Sequence, residues 1–336
     1  MWYPFRMNAH LRFAILGAGH IAEKMAATAA HLARRGEIHL AAVAARDGAR
    51  AAAFAARFGF ERSYGSYEEL AADPAVDLVY VATPNTLHAP HARLCLEHGK
   101  HVLCEKPFTA NAAEAESVLA LARERGLFCG EAIWTRFLPA SAAIGEALRA
   151  GRIGTPRLIE ASFAVPIAGK ERIREPALGG GALLDLGVYP IAFALLHFGE
   201  DYADVTGRAT LLPTGVDDQC AFSLGWADGR IAAATCSATA AGGACARIVG
   251  TAGAIVVPEL VRCQGFRIVP FGGGEPEEVS LPFECNGYEY ELRAAARAIA
   301  AGLPECPEAP RSATLAAMRA MDALRAAWGV RFPSDG

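Results

Sequence analysis

Three short segments of this 336-residue chain carry side chains suited to chemistry at a carbinol carbon. Glu105-Lys106-Pro107 offers an ammonium, and Asp185-Leu186-Gly187-Val188-Tyr189 offers a carboxylate and a phenol. Upstream, Gly17-Ala18-Gly19-His20-Ile21-Ala22 has the glycine spacing of a dinucleotide-binding turn. Oxidising an alcohol needs a base for the hydroxyl proton and an acceptor for the hydride. A phenol ordinarily titrates at about 10, so Tyr189 acts as a base only where a neighbouring cation favours its anion. Lys106 is the candidate cation, since it ends a strand and Pro107 restricts its backbone. Asp185 precedes Tyr189 by one helical turn and could orient the lysine or a substrate hydroxyl. Pro190 fits a helix only in its first turn, which puts Tyr189 near a helix N-terminus whose dipole also favours an anion.

The glycine segment sets further expectations. Gly17 permits the tight turn out of a strand, Gly19 leaves the backbone open to a pyrophosphate, and Ala22 is a small third residue for helix–strand packing. His20 and Ile21 begin the helix whose free N–H groups would meet phosphate. At the tip of the second strand stand Ala45-Arg46-Asp47, with Arg50 one turn further on. Asp47 reads as a helix cap, while Arg46 and Arg50 suit a 2′-phosphate, so NADP is expected in preference to NAD. Thr83, Pro84 and Asn85 follow a buried strand at the edge where ligands bind such sheets. With His88, Glu105 and Lys106 they complete the expected cofactor contacts. His88, His91, His98 and His101, near Cys95 and Cys104, match no zinc spacing, so no metal is expected.

The elements that must position these groups come in two styles. From Leu11 to Glu131, apolar strands alternate with helices, as at Arg12–Leu16, Leu40–Ala45, Leu78–Ala82, His101–Cys104 and Leu127–Gly130. That order predicts a Rossmann-type, doubly wound parallel sheet. After Pro139 consecutive strands predominate: Arg157–Val165, Val205–Leu212, Gln219–Trp226, Arg230–Ser237, Ala244–Gly250, Ala254–Val257 and Phe266–Val269. They predict an α+β region built on a large, mostly antiparallel, open sheet. The expected division is a cofactor domain over 10–131 and a substrate and dimerisation domain over 132–333, sharing an interface with the active site in the seam.

Composition excludes several function classes. The formal charge is −4, with 32 basic and 36 acidic residues, which gives no support to a nucleic-acid surface. Nine scattered cysteines without C-x-x-C spacing read as reduced thiols in a cytoplasmic setting. Met1–His10 lacks an apolar h-region, and Met7 is an alternative start. No long uninterrupted apolar run suggests a membrane span.

At Glu105-Lys106-Pro107 the chain resembles the Gfo/Idh/MocA oxidoreductase family, and within it the branch of dimeric dihydrodiol dehydrogenases that also act as NADP-dependent D-xylose 1-dehydrogenases. The similarity runs from Leu11 to Pro333. It is most specific at Val102–Pro107, at Glu131–Phe137, at Gly180–Tyr189 and at Thr214-Gly215-Val216-Asp217-Asp218. Tyr189 stands where many members of the wider family have histidine. The resemblance implies Lys106 and Tyr189 as catalytic residues with Asp185 assisting. It also implies a substrate pocket containing Trp134, Arg136, Phe163 and Phe283, a sugar or polyol substrate, and a homodimer formed through the C-terminal sheet. Around Val256–Gln264 the chain departs from the branch and lacks an expected aromatic. Alternatives within the family are inositol or amino-sugar oxidation and keto-sugar reduction. A non-catalytic, cofactor-binding sensor is the alternative outside enzymes.

Overall fold

The computed structural model describes residues 11–335, so the reading of Met1–His10 lies outside the described residues. Contacts divide the chain into two units. The first contains six strands: β1 (Arg12–Leu16), β2 (His39–Ala44), β3 (Arg62–Tyr64), β4 (Leu78–Val81), β5 (His101–Glu105) and β6 (Cys129–Ala132). They pair in parallel in the order β3-β2-β1-β4-β5-β6. β4 is buried throughout, as expected of a parallel strand covered on both faces. The strand order reverses between β1 and β4, which creates a crevice at their carboxyl ends. β3 escaped the sequence reading because Arg62-Ser63-Tyr64 has no apolar alternation; it joins through its backbone, paired with β2.

The segment Glu284–Arg311 groups with this first unit rather than with the rest of 132–333. Charge fixes its helix, Glu289–Ala300, in place: Arg293 pairs with Glu37 and with Glu284, each at 2.7 Å. These pairings hold the carboxyl groups of Glu37 and Glu284 below the ordinary range, Glu284 to about 2. A contiguous reading of the chain cannot show such a return.

The second unit holds β7 (Pro156–Ala164), β8 (Asp204–Leu211), β9 (Asp217–Gly225), β10 (Ile231–Ser237), β11 (Gly243–Gly250), β12 (Gly253–Val257), β13 (Gly265–Pro270) and β14 (Glu277–Ser280). Their order is β14-β13-β12-β11-β7-β10-β9-β8, antiparallel at every pairing except β7 with β10. Side chains alternate as the sequence did: Ala232, Ala234 and Cys236 point inward, while Ile231, Ala233 and Thr235 are exposed. β14, with Glu277 and Glu278, is a charged edge strand, so its alternation is not apolar.

The inner face packs on the helix Val188–Phe198, most of whose residues are buried. The stretch Pro176–Phe198 is long and apolar enough to cross a membrane by length and composition, although Asp185 interrupts it, and 83% of its most apolar window is buried inside the fold. It is a core helix. Helical backbone begins before Pro190, through a wide turn over Leu183–Gly187. Proline lacks an N–H and its ring presses on the carbonyl four residues back, so a widened turn relieves that contact. Tyr189 is therefore in a helical run that starts at Leu183, upstream of the N-terminus expected for it.

Candidate functional site

In the first unit the site begins where β1 ends. Gly17 has φ of 104°, and a Cβ there would lie 2.7 Å from the Ala82 carbonyl oxygen, so only glycine fits. Gly19 caps the helix His20–Arg34 with extended backbone and no side chain, leaving the first-turn N–H groups of His20 and Ile21 uncapped. Ala22 is buried against the sheet. These features fit a dinucleotide pyrophosphate.

At the end of β2 the capping role expected of Asp47 is present. Asp47 accepts the N–H groups of Ala49 at 2.9 Å and Arg50 at 3.3 Å, so it caps the helix Gly48–Phe58. Arg50 donates to the Ala18 carbonyl at 2.6 Å, which folds its guanidinium over the glycine turn. Arg46 is exposed, and both arginines act electrostatically on the Tyr67 phenol, whose pKa burial raises. Two cations thus gather at the tip of β2, with the nearby carboxylate committed to backbone.

Beyond β4, Pro84 leads into a short turn, Asn85–Leu87, and then the helix His88–Glu97. His88 is buried with both ring nitrogens engaged, Nδ1 at the Pro107 carbonyl and Nε2 at the Thr83 carbonyl, each 2.8 Å away. The expected direct contact between His88 and cofactor is therefore corrected to a positioning one. The ring ties the turn after Lys106 to the end of β4. Burial drives its pKa down to about 4, and the neutral ring carries a single N–H, so it donates to one of these two carbonyls and only abuts the other. His91 Nδ1 lies 3.0 Å from Thr83 Oγ1. Among the described residues no group of His, Cys, Asp or Glu is arranged to hold a metal.

Glu105 is likewise buried and inward-facing. Its Oε1 accepts the Tyr80 hydroxyl and its Oε2 accepts the Lys106 N–H at 3.1 Å, so the carboxylate fixes the backbone from which Lys106 projects. The Lys106–Pro107 peptide is cis. Phe108 donates its N–H to Glu131 at 3.1 Å. Glu291 is completely buried with no hydrogen-bond partner for either oxygen. Burial above all, with Glu105 and Glu131 nearby, raises its pKa well above the carboxylate range. The sequence offered no signal for that residue beyond a glutamate on a helical apolar face.

In the second unit, four of the expected pocket residues come together. Trp134 donates its indole N–H to the Tyr189 hydroxyl at 3.3 Å. Phe163 meets the Tyr189 ring edge-on at 5.7 Å, and Phe283 meets Trp134 at 6.3 Å. Asp185 pairs with Arg172 at 2.6 Å; Arg172 lies on a short helix, Glu171–Arg174, that the sequence reading passed over. Arg136 is buried near His197, whose pKa burial above all, with this guanidinium, lowers to about 3. All nine cysteines are free thiols.

Comparison with known proteins agrees with this geometry. Residues 11–132 match the Gfo/Idh/MocA oxidoreductase family, NAD-binding Rossmann fold, and residues 142–256 match the Gfo/Idh/MocA C-terminal domain. The chain is 37% identical over 336 residues to trans-1,2-dihydrobenzene-1,2-diol dehydrogenase of Homo sapiens, covering 97% of this chain and 99% of the relative. The Sus scrofa protein of that name is 36% identical over 335 residues, again covering 97% and 99%. Among solved structures, a 3-ketoreductase from Actinomadura kijaniata in complex with NADP and TDP-benzene is similar at a TM-score of 0.83 and 30% identity, covering 94% of this chain and 97% of that one. An aldose-aldose oxidoreductase from Caulobacter crescentus complexed with glycerol is similar at a TM-score of 0.85 and 25% identity, covering 95% and 97%. A glycine turn on a six-stranded parallel sheet, an open second sheet and relatives matched end to end make this chain a member of the Gfo/Idh/MocA family of NAD(P)-dependent oxidoreductases.

Proposed function

We infer that the protein is an NADP-dependent dehydrogenase of small cyclic polyols, oxidising an aldopyranose such as D-xylose to a lactone or a trans-dihydrodiol to a catechol. The observation that carries this reading is the environment of Tyr189. Its hydroxyl receives the Trp134 N–H and its ring is flanked by Phe163, so a phenol is held rigidly within an aromatic wall. An N–H donor at the phenolic oxygen steadies the charge that develops there during proton transfer. Aromatic faces suit both sugar rings and dihydrodiols. Bound NADP would supply the hydride acceptor at C4 of its nicotinamide. The chain's own part is to hold and move the hydroxyl proton, work shared by Tyr189 and Lys106, while Asp185, steadied by Arg172, orients a substrate hydroxyl.

Arg46 and Arg50 at the tip of β2 support NADP over NAD, since Asp47 is committed to capping. The names of the diol dehydrogenases and the NADP complex of the 3-ketoreductase support the same choice of substrate class and cofactor. Retention of Lys106, Asp185 and Tyr189 together speaks against a sensor. The test is formation of reduced cofactor by purified protein offered D-xylose, other aldoses, inositols and a trans-dihydrobenzenediol, each with NADP and with NAD. Turnover of xylose or the diol with NADP is expected. Equal or better efficiency with NAD contradicts the arginine reading, and tight NADPH binding with no turnover favours a sensor.

The same reading extends to assembly. The outer face of the second sheet is a broad depression lined by small and apolar residues such as Ala221, Ala233 and Val256, with Arg208 and Arg247 at its polar positions. We infer that a second copy of the chain covers it. Ala233→Arg should shift the protein from dimer to monomer in sedimentation velocity, whereas a wild-type monomer would contradict the assignment.

A further inference from the structure

Asp217, the first residue of β9, lies wholly inside the second unit. Its Oδ2 accepts the N–H of Leu183 at 2.6 Å, and the N–H groups of Ala182 and of Asp217 itself also act on the carboxylate. Leu183 opens the helical run that carries Asp185 and Tyr189. The first N–H groups of a helix lack intrahelical acceptors, and a polar side chain just before them ordinarily serves. Here the preceding residues are Gly179-Gly180-Gly181-Ala182, which have no such side chain. The cap comes instead from a residue 34 positions along the chain.

The glycine turn is shaped around that carboxylate. Gly181 has φ of +113°, and a Cβ there would lie 2.3 Å from Asp217 Oδ1. A side chain at this position would collide with the cap and strain the backbone as well. The run of three glycines, which could belong to any loop, thus has a specific partner.

We propose that Asp217 is a positioning residue, whose carboxylate fixes the start of the segment bearing Asp185 and Tyr189 and so sets the Tyr189 hydroxyl against the Trp134 N–H and its ring against Phe163. Its importance for turnover rests on the catalytic reading of Tyr189; its structural content does not. The titratable groups around it are Asp218 beside it, Cys220 further along β9 with Cys236 opposite on β10, and Asp185 on the capped segment, itself paired with Arg172. Burial raises the Asp217 pKa to about 6, against the pull of the backbone donors. As pH falls through that value the carboxylate gains a proton and its hold on the N–H groups weakens.

The experiment is carbon-13 NMR of protein labelled at tyrosine, with the Tyr189 signal identified by its loss in Tyr189→Phe. In wild type that signal should shift with a midpoint near 6, the value of Asp217. In Asp217→Asn it should be displaced at every pH and no longer titrate, and amide exchange over residues 182–189 should quicken about tenfold, the loss expected for one buried hydrogen bond. An unmoved signal with unchanged exchange would overturn the proposal. If Asp217→Asn fails to fold, Gly181→Ala provides the second route, and a Tyr189 signal identical to wild type in that variant would also overturn it. Neither readout uses turnover, so both decide the matter even if Tyr189 proves not to be catalytic. A fall in kcat with KM retained in Asp217→Asn would join the two readings.

Discussion

The two units build function in different ways. In the first, the cofactor end is mostly backbone: Gly17 and Gly19 matter for what they lack, and the Asp47 cap and Glu105 act on N–H groups one to three residues away. In the second, the proposed chemical end is side chains drawn from remote segments, with Trp134, Phe163, Tyr189 and Phe283 meeting through sheet register and helix packing. A local motif can encode the first kind of site. The second kind exists only after the sheet has formed.

The largest effect that separates the two ends should come from Gly17→Ala. A Cβ 2.7 Å from the Ala82 oxygen, on backbone at φ of +104°, cannot be relieved by rotating a side chain. Strain of about 1–3 kcal/mol plus displacement of the turn should weaken NADPH binding at least tenfold, measured by fluorescence titration, and leave the Tyr189 environment unchanged. Binding within twofold of wild type would break the contrast.

Next in size is the double variant Arg46→Ala/Arg50→Ala. Charge-assisted hydrogen bonds contribute about 1.5–3 kcal/mol, so affinity for NADP should fall roughly tenfold to a hundredfold while affinity for NAD changes little. Equal losses for both cofactors would show that the arginines support the turn and do not read the 2′-phosphate.

His88 sharpens the comparison through pH. Its native pKa of about 4 lies below the ordinary imidazole value of 6.5, so across that interval the unfolded chain binds the proton and the native one does not. Stability should therefore fall as pH drops from about 6.5 to 4, by roughly 3 kcal/mol from this residue. Asp217 has the opposite sign. Its native pKa of about 6 lies above the ordinary 3.8, so its contribution to stability falls as pH rises through that window. Chemical denaturation of His88→Gln should show a shallower loss on the acid side than wild type, and an equal slope would show that His88 does not govern it.

The smallest expected effect is that of Trp134→Phe. It keeps an aromatic ring but removes the N–H donated to Tyr189, a neutral hydrogen bond worth about 1 kcal/mol, so kcat should fall about fivefold with NADPH binding intact. No change in kcat would leave the ring alone as the contribution of Trp134.

The sequence was legible where chemistry and chain order coincide. The glycine turn, the Asp47 cap, the strands β1, β2, β4 and β5, and the alternating strands of the second sheet all follow from patterns within short windows. β3 and β14 were hidden because an edge strand needs no apolar face. The return of 284–311 to the first unit was hidden because its anchors, Glu37 and Arg293, are far apart in the chain. The roles of Arg172 and Asp217 rest on a salt bridge and a long-range cap that only the folded arrangement reveals.

The most direct test of this account is a paired measurement on Tyr189→Phe: NADPH affinity and turnover of the best substrate in the same preparation. The account predicts affinity within a few-fold of wild type and turnover reduced by roughly 100-fold or more, the span usual for loss of a general acid–base group. Turnover within a few-fold of wild type, with affinity equally preserved, would contradict it.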